Sequence, residues 1–299
     1  MRTENPAFTL EGVTLRYPGK PNPALDNITL SIEHNSICGL LGRNAAGKTS
    51  LMSLLAAYRK PSAGQVKVFG ENPYENPRIS VNVVLSCLRT DKASYYETSK
   101  PRELFQLASM MRPHWDQAFC NRLVERFELP LKRRLSKLSQ GQKAATSCIL
   151  GLASRAPLTI FDEAYLGMDA VYRRAFVDEL LADYLEHPRT ILFSTHYISE
   201  MERLFSEVII IDDGRVLVHD DADTLRAQGV SVTGSAEAVD RLVGGRQVLA
   251  ARSLGGTKEA VLLGLLDERE RQAAEQAGLS IGQPTLEDLF IHLTSKEGD

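Results

Sequence analysis

The 299-residue chain is long enough for one large domain, or for one domain with a small appendix. Its 43% apolar and 24% charged residues are ordinary for a globular protein and exclude a disordered, collagenous or low-complexity chain. With 35 basic and 38 acidic residues the net charge is −3, so only a local patch would offer the basic surface that nucleic-acid phosphates require, and no nucleic-acid partner is expected.

No apolar run approaches the ~18 residues of a membrane span, and Met1–Leu10 lacks the apolar core of a secretory signal. The expected location is cytoplasmic, with any membrane role arising through a partner. Cys38, Cys87, Cys120 and Cys148 form no C-x-x-C pair and read as reduced buried thiols.

In chain order, Phe8–Tyr17 and Ala24–Ile32 read as strands separated by the turn Pro18–Pro23. Ile37–Leu41 is a compact apolar strand, followed by a Gly-bearing loop and a helix from Lys48 to about Tyr58. Gln65–Phe69 and Val81–Leu88 are further strand candidates. The pattern predicts helices over Thr98–Met111, Asp116–Phe127 and Ser139–Ala153. Strand and helix then alternate: Leu158–Phe161, Ala170–Leu185, Thr190–Phe193 and Ile198–Leu204, closed by Val208–Ile211 and Val216–His219. That alternation predicts a mainly parallel sheet covered by helices. After about Gly229 a new rhythm of short strands and helices marks a small α/β appendix.

Gly42-Arg43-Asn44-Ala45-Ala46-Gly47-Lys48-Thr49 fits G-x-x-x-x-G-K-[ST] between a predicted strand and a predicted helix. Gly42 and Gly47 let the backbone wrap phosphate oxygens, and the amides of Ala46 through Ser50 face an anion at a helix N-terminus. Lys48 supplies a point charge, and the Thr49 hydroxyl is a candidate Mg²⁺ ligand. Leu158–Phe161 ends in Asp162 and Glu163. In a parallel sheet this strand end faces the same side as the loop, so Asp162 is a candidate to hold Mg²⁺ and Glu163 a candidate general base.

Together these segments resemble the nucleotide-binding subunit of ATP-binding-cassette (ABC) transporters, over roughly Phe8 to Ala227. Leu138-Ser139-Gln140-Gly141-Gln142 is similar to the family signature, Gly167-Met168-Asp169 to its D-loop, and Ser194-Thr195-His196 to its switch histidine. Tyr17, 25 residues before Gly42, stands where the family places an aromatic that stacks on adenine, although a plain strand-end aromatic reads the same way. The resemblance implies ATP and Mg²⁺ as ligands and ATP hydrolysis as the reaction. It also implies a homodimer or paired ATPase subunits in which Ser139, Gly141, Gln142 and Asp169 of one copy close over nucleotide held by the other. His196 would hold the γ-phosphate beside Glu163. A separate transmembrane permease subunit is the implied partner, with the ATPase peripheral on the inner face of the cell membrane.

The implied fold is an α/β P-loop NTPase: a parallel-sheet core, an antiparallel β subdomain, a helical subdomain at about 90–156 and the C-terminal appendix. The implied domains are 1–228 and 229–299. Arg112–Asp116 and Pro284–Phe290 resemble segments of bacterial multidrug or antibiotic exporter ATPases, although Trp115 reads equally as a core anchor. Four residues depart from the family pattern. Ala45 replaces a common loop glycine, which demands φ below zero there. Gln140 replaces the first signature glycine, and Ala164 a proline. Leu85–Asp91 lacks the Q-loop glutamine, with Thr90 or Asp91 in its place. Two other readings stay open: a soluble ABC ATPase of DNA repair or ribosome work, and a nucleotide-binding regulator without turnover.

Overall fold

The computed structural model describes residues 6–87, 98–195 and 197–294. The switch histidine at 196 and the Q-loop positions 88–91 lie outside the described residues.

The central sheet has six strands in the order β5-β6-β7-β3-β8-β9. These are β3 (Ile37–Leu41), β5 (Val83–Cys87), β6 (Leu158–Asp162), β7 (Thr190–Ser194), β8 (Glu207–Asp212) and β9 (Arg215–Asp221). All neighbours are parallel except the β8–β9 hairpin. Parallel strands are buried on both faces, which is why β3 and β7 are apolar runs without polar alternation. A three-stranded antiparallel sheet, β2-β1-β4, flanks this core. It consists of β1 (Phe8–Leu15), β2 (Leu25–Ile32) and β4 (Ala63–Val68).

Side chains alternate across the central sheet. Cys38, Leu40, Ile160, Leu192 and Ile209 pack with Leu51, Met52, Leu54 and Leu55 of α1 (Lys48–Leu55) and with the antiparallel sheet. Leu41, Phe161, Ile191, Phe193 and Ile210 face the other way, toward α3 (Pro101–Met111), α4 (Gln117–Arg126), α5 (Gln140–Ala153) and α6 (Ala170–Glu186). Each of α4, α5 and α6 starts at a polar cap: Asp116, Ser139 and Asp169 accept from the amides of Phe119, Gln142 and Tyr172. Trp115 lies partly buried against this cluster, its ring 6.2 Å from that of Phe105. One expectation shifts. The segment read as a strand from Val81 begins with α2 (Pro77–Asn82), because Asn76 caps the Arg78 amide and Pro77 favours a first helical position.

Two buried features brace the sheet. Phe161, Tyr165, Phe176 and Phe193 form an aromatic cluster with ring centroids 5.2 to 6.0 Å apart. Asp183 of α6, 2% exposed, accepts from Arg155 Nε and Nη2 at 3.0 and 2.8 Å and from Arg189 Nη1 at 2.7 Å. Arg155 also pairs with Asp116 at 2.8 Å, which ties the cap of α4 to α6.

Beyond residue 228, β10 (Gly229–Ser235), β11 (Val248–Leu254), β12 (Thr257–Leu263) and β13 (Ser280–Gly282) make an antiparallel sheet in the order β11-β12-β10-β13. It has its own apolar cluster with α9 (Ala236–Val243) and α10 (Glu268–Gln276). The last helix, α11 (Leu286–Thr294), returns to the main core. Leu286 and Leu289 join the cluster that contains Met201 and Leu204, next to α7 (Ile198–Met201) and α8 (Ala222–Arg226). The Leu286 amide donates to Glu202 at 2.7 Å, and Asp288 takes Arg252 at 2.6 Å. Among the described residues no helix is long and apolar enough to cross a membrane. All four cysteines are free thiols, and burial pushes Cys38 and Cys148 well above the ordinary thiol range.

Candidate nucleotide site

Residues 42–47 link β3 to α1 without a capping side chain. Gly47 holds φ 111°, and its position offers no side-chain cap, so the first-turn amides of α1 keep their capacity to bind an anion. A Cβ on Gly42 would stand 2.5 Å from the Ile211 carbonyl oxygen, so no other residue fits there. Ala45 contradicts the sequence reading. It takes φ 66°, the left-handed region, because the loop keeps the turn that a glycine would make. An L-residue there costs about 1–2 kcal/mol, partly offset by the lower chain entropy of alanine in the unfolded state. Ala45→Gly is therefore expected to raise stability by up to about 1 kcal/mol, read as a higher thermal midpoint without nucleotide.

Lys48 is 6% exposed and donates to the carbonyls of Gly42 at 2.6 Å and Arg43 at 3.1 Å. Burial lowers its affinity for the proton, and the charges of Glu163 and then Asp162 oppose that shift. Both carboxylates predicted for the site thus act on the predicted lysine. Arg43, Asn44, Ala45 and Thr49 are exposed at the mouth of the loop, while Ala46 and Gly47 are buried beneath it. The Tyr17 hydroxyl lies 3.2 Å from Ser50 Oγ, and the Arg59 guanidinium sits 4.7 Å above the Tyr17 ring. The aromatic is thereby fastened to the loop helix.

The acidic strand end is one strand further from the loop than a direct neighbour would be. β7 lies between β3 and β6, so Ser194 pairs with Leu40 on one side and Asp162 on the other. Asp162 shares the alternation of Ile160 and so faces α1. Glu163 leaves the strand with φ 51°, an uncommon conformation for a non-glycine residue, and its amide donates to the Ser194 carbonyl at 3.3 Å. Thr195 Oγ1 accepts from the Tyr197 amide at 2.8 Å and is hydrogen-bonded to the buried Tyr165 hydroxyl. These bonds tie the Thr195 side chain to the Tyr197 amide and to Tyr165. No local pattern marks Tyr165, since its partners come from distant elements.

Thr49 and Asp162 offer a hydroxyl and a carboxylate, the hard oxygen donors that suit Mg²⁺. No group of three or more His, Cys, Asp or Glu poised to hold a metal exists among the described residues. That donor set fits an ion that keeps waters and phosphate oxygens rather than one enclosed by protein ligands.

The signature occupies a different cleft, of about 360 Å³. Ser139, Gln140, Gly141 and Gln142 line it from α5, and Gly167 and Asp169 from the D-loop. Ser139 and Gln142 cap each other reciprocally, at 3.1 Å in both directions. A Cβ on Gly141 would lie 3.1 Å from the Gly167 carbonyl, so the two predicted segments touch within one chain. Gln140 Cβ stands 3.0 Å from where a Cβ on Gly167 would lie.

A sequence profile of the ABC transporter family matches residues 25–166. The ABC transporter ATP-binding protein YtrB of Bacillus subtilis is 24% identical over 273 residues, covering 90% of this chain and 92% of that one. The daunorubicin resistance ATP-binding protein DrrA3 of Streptomyces coeruleorubidus is 26% identical, covering 97% and 96%. The fold is shared with the dimeric, post-hydrolysis ATP-binding cassette MJ0796 bound to ADP and Pi. There the TM-score is 0.62 at 16% identity, over 72% of this chain and 98% of that one. The chain belongs to the ABC transporter family, as an ATP-binding, ATP-hydrolysing subunit.

Proposed function

We propose that this chain is one of a pair of ATPase subunits that power export through a separate membrane-embedded permease, from a peripheral position on the cytoplasmic face. The cassette comprises residues 1–228 and the appendix residues 229–299. Lys48 and the amides of 46–50 hold the β and γ phosphates, within the turn set by Gly42, Asn44, Ala45 and Gly47. Tyr17 stacks on the adenine. Thr49 and Asp162 hold Mg²⁺, which when bound offsets phosphate charge. Glu163 takes a proton from the attacking water, and His196 positions both. Ser139, Gly141, Gln142 and Asp169 close over the partner copy's nucleotide.

The observation that carries this reading is the separation of the two half-sites. The cleft lined by Ser139–Gln142 and Asp169 contains no residue of the phosphate loop. A single chain therefore presents a grip and a cap in different places, and a head-to-tail pair of copies brings them together twice, as an isologous dimer does. The dimeric state of the cassette MJ0796 supports pairing. The drug-resistance function in the name of DrrA3 supports export.

Complementation tests the composite site. Lys48→Ala disables the grip. Ser139→Glu repels phosphate while placing its acidic group where the dipole of α5 favours one. Each variant alone should be inactive. Mixed, they form hybrid dimers with one intact site, and turnover should recover to roughly a quarter of the wild-type rate by random pairing. A mixture no faster than its components rules out the shared site.

A further inference from the structure

We propose that Ser194 is a positioning residue of the divalent-cation site, its hydroxyl hydrogen-bonded to a cation-bound water beside Asp162. The inference rests on the nucleotide-binding reading above. Ser194 Oγ is buried without a hydrogen-bond partner among the described residues. A buried hydroxyl left unpaired is unfavourable, and native structures rarely keep one without a use. The other buried hydroxyls of this sheet follow the rule. Thr159 donates to Ala156, Thr190 accepts from the Asn35 amide, and Ser86 meets Ser147.

Its place gives the orphan hydroxyl a purpose. Ser194 ends β7, the strand between the one that feeds the phosphate loop and the one that ends in Asp162. Leu192, two residues earlier, faces α1 with Leu40 and Ile160, so Ser194 and Asp162 project from adjacent strand ends toward the same helix. Thr49 stands in the first turn of that helix. A small hydroxyl among these donors matches the outer shell of a hydrated ion, where groups orient bound water without displacing it. Packing alone would be served better by alanine, which carries no unpaired atom.

The test uses Mn²⁺ as the probe, titrated into full-length protein saturated with ADP, with free Mn²⁺ read by electron paramagnetic resonance. Ser194→Ala should weaken Mn²⁺ binding about 10-fold, the scale seen when outer-shell partners are removed. ADP affinity in EDTA should not change and the metal-free thermal midpoint should not fall, and Ser194→Thr should retain wild-type Mn²⁺ affinity. Wild-type Mn²⁺ affinity in Ser194→Ala, with Asp162→Asn weakened, overturns the proposal. So does an equal loss of ADP affinity in EDTA, which marks a packing defect. If Asp162→Asn and Thr49→Ala also bind Mn²⁺ normally, the cation site itself has been misplaced and both readings fall.

Discussion

Glu163→Gln is expected to lower ATP turnover by about 10²- to 10⁴-fold, the span attributed to a general base, while ATP holds the protein as a long-lived dimer. Glutamine preserves the shape of glutamate and tolerates the φ of 51° equally, so the fold should not respond. What disappears is the basicity toward the attacking water and one negative charge near Lys48. Glu163 is the stronger of the two carboxylates that keep Lys48 protonated against its burial. Without it the lysine loses its proton at lower pH. The pH at which nucleotide affinity fades on the alkaline side should therefore move down in the variant. Phosphate release and gel filtration with and without ATP read the first two effects, and nucleotide titration across pH reads the third. Turnover within tenfold of wild type would show that another group activates the water.

Asp183→Ala should be the most damaging single change to stability, by about 3–5 kcal/mol, because it strands buried positive charge. Arg189 is 4% exposed, and its Nε and Nη2 already lack partners among the described residues. Burial disfavours its charged form, and Asp183 is the main opposing influence. Removing that carboxylate also loosens Arg155, which connects Asp116 at the cap of α4 to α6. The urea midpoint measures the effect. Replacing Asp183 and Arg189 together by apolar residues of similar volume should recover much of the loss, since the penalty lies in the unpaired charge. A loss below about 1 kcal/mol would place the network among weak surface pairs.

The phosphate loop, the acidic strand end and the Ser139 cap were legible in the sequence because each is local. Their residue types and spacings encode a turn, a strand end and a helix start within a few positions. Strand order was not legible. Nothing local places β7 between β3 and β6, so Ser194 read as part of the switch-histidine motif rather than as a residue flanked by Leu40 and Asp162. The Asp183 network escaped for the same reason, as its partners lie 28 and 6 residues away in sequence and meet only in the packed chain. At Ala45 a local rule gave the wrong answer. The methyl argues for negative φ, and the geometry of the loop prevails over it. The start of β5 failed through an overlooked signal, the Asn76-Pro77 helix start in front of an apolar run.

The return of α11 makes the two parts of the chain inseparable at the point where their rhythms change. A cut at residue 228 removes Leu286 and Leu289 and strips the cover from Met201 and Leu204. It also leaves Glu202, directly after α7, without the amide that donates to it. The tail thus splints the segment from Ile198 to Leu204 against the main core, and a substitution there would be felt in both parts of the chain.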